Sequence, residues 1–478
     1  MEKLTKIIAT IGPSCDSEEL IESMINSGVN IFRFNFKHNT VEWHEERIRR
    51  VNAIADRLGK PVGTLIDLQG PEIRINIPES VGTEVGVAKG DLLHIDVEDK
   101  PEHGKRLTIT HPEVLKHLSP GQKVVIDDGA FLFYVEEVGA QCVLRSESDG
   151  VITDRKSMNI PGADFPFPVL IDRDYEGLKL ASSLHVDYVA LSFVRSAQDL
   201  KILKQEMNKH GVNALVVSKI EAQKALENLD EIIHESGAVM VARGDLGVEL
   251  PKEQVPYYQK IIIKKSVELG IPVITATQML QSMVSNPYPT RAEISDVANA
   301  AYDLTDAIML SGETALGQYP LEAVTTMAQT VSYNETKFPI DTRSRFNYNI
   351  DEQASMICNA AYALYLQFLK REEEFAGFVV FTQSGRTARL LSRYRSEVPI
   401  YTFTPNSSVR DGLTINFAVQ PFERPIPENQ QVTNDEIIKA LQFLKENYYV
   451  QENQKVIVLH GDVWAQEGGT STIKILST

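Results

Sequence analysis

A broken rhythm of strands and helices constrains this chain more than any other feature. From Lys6 to Leu68 the sequence alternates: apolar, β-branched runs at Lys6–Ile11, Asn30–Phe36 and Val62–Leu68 are separated by helical spacing over Ser17–Ser27 and Thr40–Leu58. Gly28 and the Gly59-Lys60-Pro61 triplet supply helix stops. From Glu72 to Pro168 the helical period fades, and short strand-like runs take over at Leu92–Val97, Leu107–Thr110, Lys123–Ile126, Ala130–Glu136 and Cys142–Ser146. The alternation then resumes through Asp187–Val194, Ala214–Ile220, Ala238–Ala242, Ile271–Ala276 and Asp306–Leu310.

Three strands before the interruption and five after it total eight strand–helix units. That count predicts an α/β fold of the (β/α)8 TIM-barrel type, with a doubly wound sheet as the alternative that shares its alternation. The interruption reads as an inserted all-β domain whose return hinge is Pro161-Gly162 with Pro166 and Pro168. A helix over Leu321–Thr336 should close the barrel, Pro339–Asn349 reads as a linker, and strands at Ala376–Phe381, Pro399–Phe403 and Lys455–Leu459 mark a C-terminal α/β domain. The expected division is 1–71 with 169–340 for the barrel, 72–168 for the insert and 341–478 for the last domain. Such a division suits a chain of 478 residues.

Composition narrows the function classes. A formal charge of −17 excludes a general nucleic-acid binder, though not an anionic substrate met by local cations. Cys15, Cys142 and Cys358 are few, scattered and without metal-ligand spacing, which points to a reducing cytosol. The segment Met1–Ile8 does not fit a signal peptide, and no apolar run approaches the length of a membrane span, so a cytoplasmic location is expected.

The chemistry is carried by what ends the strands. Ser218-Lys219-Ile220-Glu221 ends one apolar run, and Ala242-Arg243-Gly244-Asp245-Leu246-Gly247 ends the next. Helical spacing over Gln223–Ser236 makes the two strands parallel neighbours. Lys219, Glu221 and Asp245 therefore meet at one end of the sheet, a set suited to a hard divalent cation and an anion. A surface ion-pair cluster is the alternative for such charges. Arg33, Arg74, Arg195, Lys219 and Arg243 all fall at predicted strand ends, together with Asn35, Lys37, His38, Asp67, Glu72, Ser192, Thr275, Thr277, Gln278, Ser311 and Glu313. That many cations at one mouth suits phosphoryl transfer, which depends on positioning and charge neutralisation. No Walker-type phosphate loop is present.

Several ordered motifs resemble pyruvate kinases. They are TKIIATIGP (Thr5–Pro13), FRFNFKHN (Phe32–Asn39), DLQGPEIR (Asp67–Arg74), Ser218–Glu221, MVARGDLG (Met240–Gly247), ATQML (Ala276–Leu280), NPYPTRAEISDVANA (Asn286–Ala300) and MLSGETA (Met309–Ala315). The resemblance implies transfer of phosphate from phosphoenolpyruvate to ADP, giving pyruvate and ATP. It implies Mg²⁺ (or Mn²⁺) on Glu221 and Asp245, and Lys219 as the cation on the phosphoryl group and enolate. Gly244, Asp245 and Thr277 would hold the substrate carboxylate, with Thr277 near the protonation path. Arg33 would bridge substrate and nucleotide. Asn35, His38, Arg74 and Lys156 would face the nucleotide, Lys156 from an inserted domain that closes as a lid.

One departure concerns a monovalent cation. The family's K⁺ site uses Asn35, Asp67, the carbonyl of Leu68 and a serine where this chain has Lys37. Family members that dispense with K⁺ carry lysine at the position of Glu72 instead. Here the expectation is that the Lys37 ammonium replaces K⁺; the alternative is that it swings to solvent and K⁺ still binds. In the last domain, Thr382-Gln383-Ser384-Gly385-Arg386-Thr387 matches the loop that holds a phosphorylated allosteric effector. The facing loop Gly461–Thr472, with Asp462 and Glu467, departs from the family pattern. The family also suggests a homotetramer. Competing readings are another barrel lyase or transferase acting on phosphoenolpyruvate or an α-keto acid, and a non-catalytic or K⁺-independent paralogue that binds nucleotide or effector.

Overall fold

The computed structural model describes residues 3–478 apart from 80, 97–105, 140, 336, 338–345, 426–431 and 462–467. Much of the expected linker after Pro339, and Asp462 and Glu467 of the facing loop, thus lie outside the described residues.

Eight parallel strands close into a barrel: Lys6–Thr10, Ile31–Asn35, Gly63–Asp67, Tyr188–Leu191, Leu215–Ile220, Ala238–Ala242, Val273–Ala276 and Ala307–Leu310. They are the eight strands expected from the sequence; Ala238–Ala242 keeps its expected bounds, and the others are trimmed by one to three residues at one or both ends. Their apolar residues face two ways. Ile8, Ile31, Leu65, Val217, Met240, Ile274 and Met309 point inward and pack into one buried cluster. The alternate residues, such as Ile7, Phe32, Ile66, Val216 and Val239, pack against the surrounding helices. Gly63 is needed at the start of the third strand, because a Cβ there would come within 2.7 Å of Thr414 Oγ1 and 2.9 Å of the Tyr188 ring.

The expected helix stops and starts are formed. Helix Val41–Leu58 begins with Thr40 accepting the Trp43 N–H and ends at Gly59 with φ 63°. Helix Arg291–Tyr302 carries a reciprocal capping box between Thr290 and Glu293. The segment Gln223–Ser236 differs from expectation. It is two short helices, Gln223–Glu227 and Leu229–Glu235, broken at Asn228, whose Nδ2 is drawn off to donate to the Arg195 carbonyl at 2.8 Å.

Among the described residues the insert holds a mainly antiparallel sheet and a separate two-stranded one, with its own core of Leu93, Ile95, Leu107, Val124, Phe133 and Leu144. Beside the expected runs it contains short strands at Ile75–Asn76, Glu84–Val87, Gly150–Thr153 and Met158–Asn159. The last domain is a five-stranded sheet in the order Val419–Glu423, Ile400–Thr404, Phe375–Phe381, Lys455–Gly461, Thr470–Ser477. Its two outer strands were not expected. Pro421 weakens the signal of the first, and Thr470–Ser477 is an edge strand with a largely polar sequence.

This last domain seals one end of the barrel. Ile415 joins the barrel's interior cluster, and its N–H donates to the Tyr188 hydroxyl (3.2 Å), which also hydrogen-bonds Thr414 Oγ1 (2.9 Å). Arg395 and Asp306 form a buried pair at 2.6 Å, and the Phe417 N–H donates to Asp306 at 3.0 Å. Tyr188 opens the fourth strand and Asp306 precedes the eighth, so the sealed end is the N-terminal one. The C-terminal ends form the open mouth. Among the described residues no helix is long and apolar enough to cross a membrane.

Candidate active site

Strands two and three place Asn35 beside Asp67 and Arg33 beside Leu65. Arg33 is buried at the mouth. Its Nε donates to Asp67 Oδ2 at 2.8 Å, Nη2 lies 2.6 Å from the same oxygen, and Nη1 donates to Thr10 Oγ1 at 3.0 Å. Burial opposes ionisation of Asp67, but Lys219 and Arg33 outweigh it and hold its carboxyl below the usual range.

Lys219 sits across the barrel from Arg33 on the same carboxylate. Its Nζ is 3.2 Å from Asp67 Oδ1, 2.8 Å from Glu221 Oε1, and donates to Ser192 Oγ at 2.8 Å. Burial disfavours its charge, yet Asp67 and Glu221 raise its pKa well above the ordinary lysine value, so it stays an ammonium. The Ser192 hydroxyl in turn donates to the Leu68 carbonyl at 2.7 Å. Glu221 is fixed through Oε2, which accepts the Phe193 N–H at 2.7 Å. Phe193 has φ 55°, and that left-handed turn aims its N–H at the carboxylate.

The sixth strand runs directly into helix Arg243–Glu249, so Asp245 stands in that helix's first turn. Its carboxyl is pushed up to about 7 by burial and then by the Glu221 carboxylate, against the pull of Lys219 and Lys37. A carboxyl raised by a neighbouring carboxylate in this way marks a seat for a cation. Among the described residues no group of three or more His, Cys, Asp and Glu side chains is arranged to hold a metal. A two-carboxylate seat that leaves positions to substrate oxygens and water suits Mg²⁺.

Thr277 has φ 66° and Gln278 has φ 54°. A β-branched residue pays for that conformation in strain. The strain points Thr277 Oγ1 at helix Arg243–Glu249, where it accepts the Gly244 N–H at 2.8 Å and donates to the Ala276 carbonyl at 2.7 Å.

Two of the five expected mouth cations are employed elsewhere. Arg243 forks onto Asp296 (both contacts 2.8 Å) and donates to the carbonyls of Ala276 (3.1 Å) and Thr277 (2.7 Å). It props the strained turn and does not face the mouth. Arg195 is held by Asp199 and donates to the carbonyls of Phe165 (2.9 Å) and Phe167 (3.3 Å), so it fastens the insert's return hinge. The sequence put both at strand ends but could not show the acids that capture them.

The nucleotide-facing candidates lie where barrel and insert join. Glu72 bridges two cations: Lys37 Nζ is 2.5 Å from Oε1, and Arg74 Nη2 is 2.6 Å from Oε2. Arg74 Nη1 reaches the Arg155 carbonyl at 2.5 Å, and Lys156 Nζ pairs with Asp127 at 2.8 Å. The His38 imidazole is pushed toward neutrality by burial and then by Lys37, Arg74 and Arg33. Residues behind this loop were not singled out from the sequence. His44 is buried, stacks on Phe36 at 4.6 Å and hydrogen-bonds the His38 carbonyl at 2.8 Å. Asp174 accepts the N–H groups of Gln69 and Gly70 at 2.8 and 3.2 Å. Thr10, the polar last residue of an apolar strand, was the most readable of them.

In the last domain, Thr382, Gln383, Ser384, Arg386, Gly461 and Gly468 line a cleft. Gly385, with φ 76°, caps helix Arg386–Ser392 and donates its N–H to Thr382 Oγ1 at 3.1 Å. Arg386 pairs with Glu352 at 2.6 Å, and Thr387 is buried against Thr470 at 2.6 Å.

A parallel barrel with its cations and two carboxylates gathered at the strand C-termini, sealed at the other end and roofed by an inserted sheet, is the build of a metal-assisted phosphotransferase. Sequence comparison makes the family specific. The family model "Pyruvate kinase, barrel domain" matches residues 2–324, and "Pyruvate kinase, alpha/beta domain" matches 364–476. The chain is 36% identical to the pyruvate kinase of Clostridium acetobutylicum, with 98% of each chain covered. It is 36% identical to that of Bacillus licheniformis over 98% of this chain and 80% of the relative, and 35% identical to pyruvate kinase 2 of Synechocystis. The chain belongs to the pyruvate kinase family and is a phosphotransferase.

Proposed function

We propose that this chain transfers the phosphoryl group of phosphoenolpyruvate to ADP, with Mg²⁺ or Mn²⁺ held by Glu221 and Asp245. The observation that carries the reading is Asp67 holding Arg33 and Lys219 from opposite sides, so that two buried cations are fixed at one mouth. In the reaction the bond from phosphorus to the enol oxygen breaks and a bond to an oxygen of the ADP β-phosphate forms. The enolate then takes a proton at carbon to give pyruvate.

Lys219 neutralises charge that moves from the phosphoryl oxygens to the enolate, and Ser192 and Glu221 hold it in place. Arg33 spans substrate and nucleotide phosphates. A substrate carboxylate at the start of helix Arg243–Glu249 takes over the Gly244 N–H from Thr277, which frees the threonine hydroxyl for the protonation path. The divalent cation, when bound, supplies Lewis-acid neutralisation of phosphate and carboxylate oxygens. Asn35, His38, Arg74 and Lys156 receive the nucleotide under the insert, which acts as a lid.

A phosphorylated effector in the cleft beside Thr382, Ser384, Gly385, Arg386 and Thr387, a homotetrameric assembly and a cytoplasmic location belong to the same reading. ATP formation from ADP and phosphoenolpyruvate in the presence of Mg²⁺ tests it. Consumption of phosphoenolpyruvate without ADP would favour a barrel lyase, and binding of either substrate without turnover would favour a non-catalytic paralogue.

A further inference from the structure

Lys37 is the least expected charge at the mouth, and its position decides what it does. Its side chain is only 31% exposed, and its ammonium lies 2.5 Å from Glu72 Oε1. It has not swung out to water.

The donors that a monovalent cation would need are already engaged. Asn35 Oδ1 accepts the Lys37 backbone N–H at 3.3 Å, the Leu68 carbonyl accepts the Ser192 hydroxyl at 2.7 Å, and the Asp67 carboxylate is shared by Arg33 and Lys219. A free cation entering here would meet a fixed ammonium in place of a neutral oxygen ligand, and like charges repel strongly at short range in a half-buried site. The residues present do not fit K⁺.

We infer that Lys37 is a built-in monovalent cation: its ammonium, steered by Glu72, supplies the charge for which a free alkali ion would otherwise be required. The inference rests on the phosphoenolpyruvate-to-ADP reading. Glu72 also holds Arg74, which reaches the Arg155 carbonyl of the insert, so the ammonium and the root of the insert share one carboxylate. Lys37 is thus a positioning residue whose charge organises the phosphate end of the site.

The test compares KCl, NaCl and choline chloride at one ionic strength, for the unchanged chain and for Lys37→Ser and Lys37→Arg. Turnover of phosphoenolpyruvate with ADP and Mg²⁺ is measured in each salt. Thermal melting is followed in the same salts without substrate, because an ion that binds the folded state raises the melting temperature. The unchanged chain should vary by less than about twofold in turnover and show no K⁺-specific melting shift. Lys37→Ser should lose about tenfold or more in choline, about 1.4 kcal/mol, regain it in KCl and acquire a K⁺-specific melting shift. Lys37→Arg should stay independent of K⁺.

Activation of the unchanged chain by K⁺ of about tenfold or more, or a K⁺-specific melting shift in it, overturns the inference even if Lys37→Ser does not fold. Absence of turnover in every salt would instead overturn the catalytic reading, and the melting data would still decide the cation question.

Discussion

Arg33 and Asp67 are joined by two contacts to one oxygen, Nε at 2.8 Å and Nη2 at 2.6 Å, while Lys219 takes the other oxygen at 3.2 Å. One carboxylate therefore sets the separation of two cations at the barrel mouth. Asp67→Asn should loosen both, leaving Arg33 buried without its counter-charge and Lys219 with Glu221 alone. Loss of one partner of a buried pair costs about 3–5 kcal/mol, and misplaced phosphate-binding groups should lower kcat/KM for phosphoenolpyruvate by about 10²-fold or more. Calorimetric melting and steady-state kinetics check the two effects, and unchanged kcat/KM would remove Asp67 from this role.

Lys219→Met keeps the length of the side chain and deletes its charge. Turnover should fall by about 10³-fold, while far-ultraviolet circular dichroism stays close to that of the parent. Retained turnover would refute the placement of Lys219 on the moving phosphoryl group.

Thr277 separates hydroxyl chemistry from backbone strain. Thr277→Ser keeps the hydroxyl and should stay within a few-fold of the parent. Thr277→Ala should lower kcat by about 10–100-fold, with a smaller change in KM for ADP. Equal loss in both variants would show that packing of the methyl group matters and not the hydroxyl.

The buried Arg395–Asp306 pair, with both side chains about 2–3% exposed, locks the last domain to the barrel. Arg395→Met leaves Asp306 without its partner and should destabilise the chain by about 3–5 kcal/mol. Adding Asp306→Asn to Arg395→Met should recover part of that loss. A double variant that melts no higher than Arg395→Met would mean that the stranded charge is not the cause.

Asp187 gives a pH dependence of known sign. Burial, and then the Asp411 carboxylate, push its carboxyl up to about 7, although Thr64 donates to it through N–H and hydroxyl. The folded chain therefore holds a proton between about pH 4 and 7 that the unfolded chain has released, so this group's contribution to stability falls as pH rises through that window. Asp187→Asn should gain a few degrees in melting temperature relative to the parent between about pH 5 and 8. A gap that does not vary with pH would count against the shift.

Local sequence was enough for the barrel strands, because each is a short apolar run closed by charge or glycine. The capping box at Thr290 was readable for the same reason: its partners are three residues apart. What local pattern could not supply was the direction of long side chains. Arg33 and Arg243 look alike at their strand ends, yet one meets Asp67 inside the mouth and the other meets Asp296 outside it. Asp174, which steadies the Gln69-Gly70 turn from about 100 residues away, leaves no local trace at all. The break at Asn228 was missed because the apolar spacing continues through it, and only a tertiary acceptor, the Arg195 carbonyl, interrupts the helix.

The seal made by Ile415 and Arg395 has a consequence for anyone dividing this protein into parts. Cut away, the catalytic barrel would carry an uncovered apolar hollow around Tyr188 and an Asp306 stripped of its arginine. A chimera that exchanges the last domain should therefore keep residues 411–419 and Arg395 with the barrel they plug, and set its junctions in the surface turns beyond them.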